Sequence, residues 1–204
     1  MLVKVCGMRD CDNILELLSL RVDMVGFIFY PKSARYIGDA MLPEFEIAER
    51  VGVFVDSDIS TILEHKNRYN LTTIQLHGSE TTAMCESLKT SGIKVIKAIS
   101  IKENTDFQKA TAYDGVVDYM LFDTKCDGYG GSGVAFDWSL LDSYSGSTPF
   151  LLSGGITVDM AEQIANIKHP KFAGVDLNSR FEKAPALKDI KLLKKFIQSI
   201  KGKF

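Results

Sequence analysis

Residues 2–29 read LVKVCGMRDCDNILELLSLRVDMVGFIF and contain two short apolar runs separated by a stretch with helical spacing. The runs LVKVC (2–6) and MVGFIF (24–29) have the length and apolar content that are typical of strands. Between them, NILELLSL (13–20) places its apolar side chains at the spacing of an amphipathic helix. The segment therefore predicts a strand, a helix and a second strand.

The same alternation continues along the rest of the chain. Six further apolar runs resemble strands: VGVFV (51–55), TIQL (73–76), KVIKAI (94–99), YMLF (119–122), PFLLS (149–153) and FAGVD (172–176). Helical spacing is clearest in ISTILEHKNRY (59–69), TTAMCESLKTS (81–91), MAEQIANI (160–167) and DIKLLKKFIQSI (189–200), and weakest around 103–116. Because most strand-like runs are apolar throughout, they are typical of parallel strands that are covered on both faces.

The number and spacing of these units predict the architecture. Eight units in 204 residues average roughly 25 residues each, which is near the short end for a (β/α)8 barrel. No Pro/Ser linker or shift in composition marks a domain boundary. We therefore predict an α/β protein with a single-domain (β/α)8 TIM barrel over residues 1–204. A doubly wound open sheet is the alternative, because alternation of strands and helices does not itself show closure.

Composition and charge exclude several classes of protein. With 46% hydrophobic and 25% charged residues, the chain is unlike disordered chains and disulfide scaffolds. Its formal net charge of −2 favours neither a nucleic-acid partner nor a membrane partner. We expect a reduced, cytoplasmic protein without a zinc site, because no segment resembles a signal peptide and the cysteines lack metal-ligand spacing. The four cysteines are Cys6, Cys11, Cys85 and Cys126. The protein is expected to be a monomer or a homodimer, because no surface stripe in the sequence marks an interface.

Polar and reactive residues follow many of the predicted strands. In a parallel barrel the functional residues lie at the carboxyl ends of the strands, so these positions are the candidate site. Its main members are Cys6, Arg35, His77, Asp123, Gly154, Gly155, Asn178 and Ser179. Their common position predicts one site that binds a small-molecule substrate.

Three of these residues have more than one interpretation. Cys6 is either a buried small hydrophobic residue or a thiolate that needs nearby cations, for which Lys4, Arg9 and Arg35 are the candidates. Asp123 either caps a turn or pairs with a lysine such as Lys125, or it serves as a general acid because apolar walls disfavour its charged form. His77 is more typical of a hydrogen-bonded residue beside a site than of a catalytic one.

Three loop segments have two different predicted roles. Ser153-Gly154-Gly155 and Asp176–Ser179 follow the seventh and eighth strands, where barrels bind phosphate through backbone N–H groups, although adjacent glycines also form plain turns. Gly128–Gly133 matches the dinucleotide-binding pattern formally, but it begins five residues after the strand end. We interpret that segment as a mobile lid over the site.

Taken together, these motifs resemble the phosphoribosylanthranilate isomerase family of tryptophan biosynthesis. The resemblance extends from residue 3 to about residue 197, which is nearly the whole chain. It rests on KVCGMR (4–9), GFIFYPKSARY (26–36), VFVD (53–56), IQLHG (74–78), LFD (121–123), GGSG (130–133), SGG (153–155) and GVDLNS (174–179).

The resemblance implies a fold, an activity and a set of roles. The activity is an Amadori rearrangement of N-(5'-phosphoribosyl)anthranilate to 1-(2-carboxyphenylamino)-1-deoxyribulose 5-phosphate, without a cofactor or metal. Asp123 is then the general acid and Cys6 the general base. Arg35 binds the anthranilate carboxylate, His77 lies beside the substrate, and Asp176 orients the phosphate loop. The phosphate ligands are Gly154, Gly155, Asn178 and Ser179. The alternatives are a related sugar-phosphate isomerase and a non-catalytic phosphate-binding barrel subunit.

Two positions depart from the family pattern. Arg180 and Ala186 stand where the family usually has glycine. Arginine cannot replace glycine where the backbone requires a positive φ, although its cation can add a phosphate contact. The exact geometry of the phosphate site therefore cannot be carried over from the family.

Overall fold

A closed barrel of eight parallel strands forms the centre of the molecule. The computed structural model describes residues 1–123 and 138–202. The strands follow chain order around the barrel: β1 Leu2–Val5, β2 Met24–Ile28, β3 Glu49–Phe54, β4 Thr73–Leu76, β5 Lys94–Ser100, β6 Tyr119–Asp123, β7 Phe150–Ser153 and β8 Phe172–Leu177. Pairing of β8 with β1 closes the sheet. The predicted barrel is confirmed, and the open sheet is wrong. The proposed lid, Gly128–Gly133, lies outside the described residues.

Six α-helices are present in the described part of the chain: α1 Cys11–Leu18, α2 Ile59–Arg68, α3 Thr82–Thr90, α4 Phe107–Thr111, α5 Ala161–Ala165 and α6 Ile190–Lys201. The four longer helices each begin after a side chain that accepts a hydrogen bond from a first-turn N–H, as N-caps do: Asp10, Asp58, Thr81 and Asp189. α4 and α5 are shorter than the sequence predicts, because a 3-10 turn forms the start of each. None of the described helices combines the length and the apolar character needed to cross a lipid bilayer.

The connection between β2 and β3 contains no helix. Residues 29–48 run as turns and extended chain, and their sequence includes Pro31, Gly38 and Pro43, which all disfavour a helix. Arg50 of β3 holds this segment in place. Its guanidinium donates to the carbonyl oxygens of Pro43 and Tyr69 and lies 4.5 Å from the ring centre of Phe45. The connection is therefore ordered without being helical.

Inside the barrel, an apolar layer lies below a polar one. The apolar layer is formed by Met24, Val51, Ile96, Ala98, Leu121 and Leu151. Alternation along the strands directs every second residue inward, so Lys4 and Cys6 follow Leu2 on the inner face of β1. Towards the carboxyl ends, the interior therefore changes from aliphatic packing to charged and reactive side chains. This change places the candidate site at one end of the barrel.

A short hairpin follows the eighth strand. A 3-10 turn at Ser179–Phe181 leads into β9 (Glu182–Ala184), which pairs antiparallel with β10 (Leu187–Lys188). Ala186 lies in the turn between them with a φ of 66°. A β-carbon is unfavourable in this left-handed region, so the hairpin carries local backbone strain at this residue.

We expect Ala186→Gly to stabilise the protein. The left-handed conformation costs an L-residue roughly 1–2 kcal/mol, and the greater freedom of glycine in the unfolded chain offsets about 0.5–1 kcal/mol of that gain. The free energy of unfolding should therefore rise by about 0.5–1 kcal/mol, measured by denaturant titration. The control is Ala184→Gly, which lies in β9 without a positive φ and should destabilise. Equal losses at both positions would contradict the expectation.

Candidate active site

The predicted site residues meet at one end of the barrel. Because β1 to β8 are all parallel, their carboxyl ends form a common mouth. Arg35 reaches this region from the connection between β2 and β3 and packs against Gly7, in the loop after β1. The packing is close: a β-carbon added to Gly7 would lie 2.7 Å from Arg35 Cδ and 3.0 Å from Asn178 Oδ1. The residues that end or follow strands at the mouth are Cys6, His77, Asp123, Gly154, Gly155, Asn178 and Ser179.

Cys6 is buried beside charged groups. It is 3% exposed, and its backbone N–H donates to the carbonyl of Leu177, which fixes the end of β1 against β8. Burial raises the pKa of the Cys6 thiol, and Asp176 adds to this effect. The ammonium groups of Lys4 and Lys188 oppose it by favouring the thiolate. Both interpretations of Cys6 thus contain a correct element: the side chain is buried, and cations surround it.

Lys4 and Asp176 form an ion pair inside the barrel. Lys4 Nζ lies 2.9 Å from Asp176 Oδ1, and the lysine side chain is fully buried. Burial lowers the pKa of Lys4, but Asp176 and Cys6 raise it by more, so the pKa lies above its ordinary value. Asp176 therefore points into the barrel and binds Lys4, and its effect on the phosphate loop stays a prediction. The sequence named Lys4 as a candidate cation for Cys6, but it did not predict the pairing of Lys4 with Asp176.

Gly26 leaves room for the sulfur of Cys6. It lies on the inner face of β2, where a β-carbon would be 2.8 Å from Cys6 Sγ and 3.1 Å from Cys6 Cα. These separations are shorter than a van der Waals contact, so any side chain at this position displaces Cys6. Glycine is therefore required at this position for close packing rather than for backbone freedom.

We expect Gly26→Ala to cost both stability and turnover. Overpacking of this kind costs about 1–3 kcal/mol, and displacement of Cys6, the predicted base, should lower turnover by roughly tenfold to a hundredfold. Denaturant unfolding and steady-state kinetics measure the two effects. In a Cys6→Ala background the stability penalty should shrink, because the sulfur that clashes is gone. An alanine variant with unchanged stability and turnover would show that the packing at Cys6 is not tight.

Asp123 lies beside His77. Asp123 Oδ2 is 3.6 Å from His77 Nε2, and the Asp123 side chain is mostly buried. The other ring nitrogen of His77 is 3.0 Å from Gln75 Nε2. If the Gln75 amide donates there, the neutral ring carries its proton on Nε2, facing the carboxylate. Gln75 Oε1 is buried and has no hydrogen-bond partner among the described residues.

A buried ion pair outside the barrel fixes the loop that carries His77. Lys97 Nζ donates to Glu80 Oε2 and to the carbonyl oxygens of Leu76 and Gly78, at 2.9, 3.3 and 2.7 Å. Glu80 in turn accepts from the N–H of Gly78. The backbone on both sides of His77 is thus held by one lysine and one glutamate.

Arg35 already has an anionic partner. Its Nε and Nη2 atoms donate to the Glu182 carboxylate, and the Nη2–Oε2 distance is 2.6 Å. Lys188 also binds Glu182, and it donates to Asn178 Oδ1 at 2.8 Å. Although burial opposes ionisation, Arg35 and Lys188 hold the pKa of Glu182 below its ordinary value. Sequence reasoning missed Glu182 and Lys188, which join the predicted carboxylate-binding residue to the predicted phosphate loop.

The two predicted phosphate loops are neighbours. β7 pairs with β8, so Gly154-Gly155 and Asn178-Ser179 leave adjacent strands. Both glycines have positive φ values, 97° and 64°, and Gly155 borders open space. Arg180 does not adopt a positive φ; it is exposed in the 3-10 turn. The steric objection to a residue other than glycine therefore does not apply at position 180 but does apply at Ala186.

Within residues 1–123 and 138–202, no three His, Cys, Asp or Glu side chains are grouped to bind a metal ion. The described groups at the mouth instead include one thiol, one carboxyl group next to a histidine, a partly paired guanidinium and the loops that follow β7 and β8. This set can exchange protons with a small molecule and can bind anionic groups at its ends.

Comparison with known proteins agrees with this geometry. The family model described as N-(5'-phosphoribosyl)anthranilate (PRA) isomerase matches residues 3–199. An N-(5'-phosphoribosyl)anthranilate isomerase from Parabacteroides distasonis is 50% identical, over 98% of this chain and 93% of the relative. The crystal structure of phosphoribosyl anthranilate isomerase from Thermotoga maritima is 33% identical, with a TM-score of 0.85 and full coverage of both chains.

A second solved structure adds a ligand to the comparison. It is a phosphoribosyl anthranilate isomerase in complex with reduced 1-(o-carboxyphenylamino)-1-deoxyribulose 5-phosphate. It is 31% identical to this chain, with a TM-score of 0.80 and full coverage of both chains.

Proposed function

Because the chain belongs to the N-(5'-phosphoribosyl)anthranilate isomerase family, we propose that Cys6 and Asp123 are the base and the acid of its reaction. The enzyme isomerises N-(5'-phosphoribosyl)anthranilate in tryptophan biosynthesis. The observation that carries the assignment is that both residues end or follow strands of one barrel, β1 and β6, which are three strands apart around the closed sheet. Cys6 lies two residues after Lys4, and Asp123 lies two residues after Leu121. Because side chains alternate along a strand and Lys4 and Leu121 point into the barrel, Cys6 and Asp123 point inward as well.

The first step opens the sugar ring. Asp123 donates its proton to the furanose oxygen as the C1–O bond breaks, and the bonding electron pair stays on that oxygen. The anilinic nitrogen supplies its lone pair to C1, which gives a protonated Schiff base. The position of Asp123 at the end of β6, beside His77 at the barrel mouth, supports this role.

The second step moves a proton from carbon. The Cys6 thiolate takes the proton from C2, and the C–H electron pair forms a C1=C2 double bond as the nitrogen becomes neutral. The resulting enolamine then tautomerises to the ketone. A thiolate is a sufficient base because the adjacent iminium acidifies the C2 proton. The nearby cations Lys4 and Lys188 support this role of Cys6.

The remaining predicted residues bind the ends of the substrate. Among the described residues none accepts a hydrogen bond from Arg35 Nη1, so this part of the guanidinium is the proposed contact for the anthranilate carboxylate. Glu182 then holds the guanidinium in place. The phosphate binds between Gly154-Gly155 and Asn178-Ser179, and His77 contacts the substrate beside Asp123.

A fluorescence assay tests the function directly. Purified protein is mixed with freshly made phosphoribosylanthranilate, and the loss of substrate fluorescence is followed with time. Turnover that scales with enzyme concentration is expected. Turnover only of other aminoaldose or aldose phosphates would favour a related sugar-phosphate isomerase. Binding of the product analogue without any turnover would favour a non-catalytic barrel.

We expect the kcat/KM of the Asp123→Asn variant to rise with pH, because Cys6 is then the only one of the two proposed proton-transfer groups that can titrate. Burial raises the pKa of the Cys6 thiol, so below that pKa the thiolate is the minor form, and its fraction grows as the pH rises. Initial rates of this variant, measured from about pH 5 to 9 under substrate-limited conditions, test this expectation. A flat profile of the variant over that range would contradict a thiolate base.

A further inference from the structure

The buried ion pair below Cys6 has no assigned role in the reaction. Lys4 is fully buried, and its ammonium lies 2.9 Å from Asp176. Burying two charges is costly, and an apolar pair of similar volume would often be at least as stable. The neighbouring interior is aliphatic, so packing alone does not require a lysine at this position.

The geometry directs the lysine towards the thiol. Lys4 and Cys6 are separated by one residue at the end of the same strand, so their side chains share the inner face of β1. Their ionic interaction is mutual: the ammonium favours the Cys6 thiolate, and the thiolate favours the Lys4 ammonium. An ammonium has three N–H donors, and Asp176 Oδ1 accepts one of them.

We propose that Lys4 is the positioning residue that stabilises the thiolate of Cys6, and that Asp176 anchors the lysine ammonium beneath the sulfur. The proposal rests on the proposed function, because it explains how a buried cysteine serves as the base. It assigns the ion pair to the reaction rather than to folding. Neither residue contacts the substrate in this scheme.

Other charged groups face Cys6 from the neighbouring elements. Lys188 approaches from β10 and Arg35 from the connection between β2 and β3, and both interact electrostatically with Cys6. Both also bind Glu182, which offsets part of their charge. Asp176 on β8 acts in the opposite direction to Lys4, since its carboxylate disfavours the thiolate. Removing the charge of Lys4 and removing the charge of Asp176 should therefore shift the titration of Cys6 in opposite directions.

The test is a titration of the Cys6 thiolate that does not depend on turnover. Ultraviolet absorbance of the thiolate is recorded against pH, and the signal of the matching Cys6→Ala protein is subtracted. Lys4→Met should move the midpoint to higher pH by about one unit or more. Lys4→Arg keeps a cation at this position, so its midpoint should lie close to that of the unchanged protein. Asp176→Asn should move the midpoint to lower pH.

Lys97→Met is the matched control. Lys97 is also a buried lysine in an ion pair, with Glu80, but it lies on the outer side of the barrel wall beneath the His77 loop. Its loss should destabilise the protein and leave the Cys6 midpoint unchanged. Equal midpoints in Lys4→Met and the unchanged protein, or a shift of Asp176→Asn in the same direction as Lys4→Met, would overturn the proposal.

The titration also separates this proposal from the proposed function. If Lys4→Met does not fold, Asp176→Asn still tests the proposal, because its midpoint should lie below those of Lys4→Arg and of the unchanged protein. If the variants shift the thiolate midpoint as expected but the unchanged protein has no isomerase activity, the proposed function fails while the role of Lys4 stands. If activity is normal and the midpoints do not move, only the role of Lys4 fails.

Discussion

Asp123→Asn is expected to lower kcat by about two to four orders of magnitude, which is the range that general acid catalysis supplies. Asparagine has nearly the same shape and can still contact His77, but its amide cannot protonate the ring oxygen of the sugar. Substrate binding should change much less, so the loss should appear in kcat and kcat/KM rather than in KM. Steady-state fluorescence kinetics measure all three parameters.

The control for this variant is Asp142→Asn, which changes an exposed aspartate. It should leave the kinetics unchanged. Thermal unfolding of both variants excludes a loss of folded protein as the cause. Turnover within a few-fold of the unchanged enzyme in Asp123→Asn would show that another group donates the proton.

Cys6→Ala is expected to have an effect of similar size, again about two to four orders of magnitude in kcat. Removal of the sulfur removes the proposed base, and no other thiol follows β1 directly. Cys6→Ser is the more conservative test, since a hydroxyl of similar size is a much weaker base than a thiolate at neutral pH. Both variants are assayed with phosphoribosylanthranilate, and their stability is compared by denaturant unfolding.

Cys11→Ala provides the matched control. Cys11 is exposed at the start of α1, so its replacement should leave both turnover and stability nearly unchanged. Near-normal activity in either Cys6 variant would remove the thiol from the mechanism.

The strands could be predicted from the sequence more fully than their connections. Each apolar run from LVKVC to FAGVD corresponds to a strand of the barrel, because burial on both faces imposes continuous hydrophobicity. The connection over residues 29–48 was not predictable in detail. Its order depends on Arg50, whose contacts with Pro43 and Tyr69 join residues that are distant in sequence.

The same limit applies to the candidate site. Cys6 and Asp123 could be selected because strand ends converge in a parallel barrel. The ion pairs of the site could not be predicted, because they join residues that are far apart in the sequence. Lys4 and Asp176 are separated by 172 positions, and Arg35 and Glu182 by 147. Lys4 was a candidate cation for Cys6, but nothing in the sequence indicated that its ammonium would bind Asp176. Nothing local to Glu182 indicated that it would bind the guanidinium.

A structure of this protein with reduced 1-(o-carboxyphenylamino)-1-deoxyribulose 5-phosphate would test the proposed mechanism most directly. The sulfur of Cys6 and a carboxyl oxygen of Asp123 should both contact the sugar chain, from opposite sides, with the phosphate between the loops after β7 and β8. A ligand that contacts only one of these two residues, or that binds away from the barrel mouth, would contradict the mechanism.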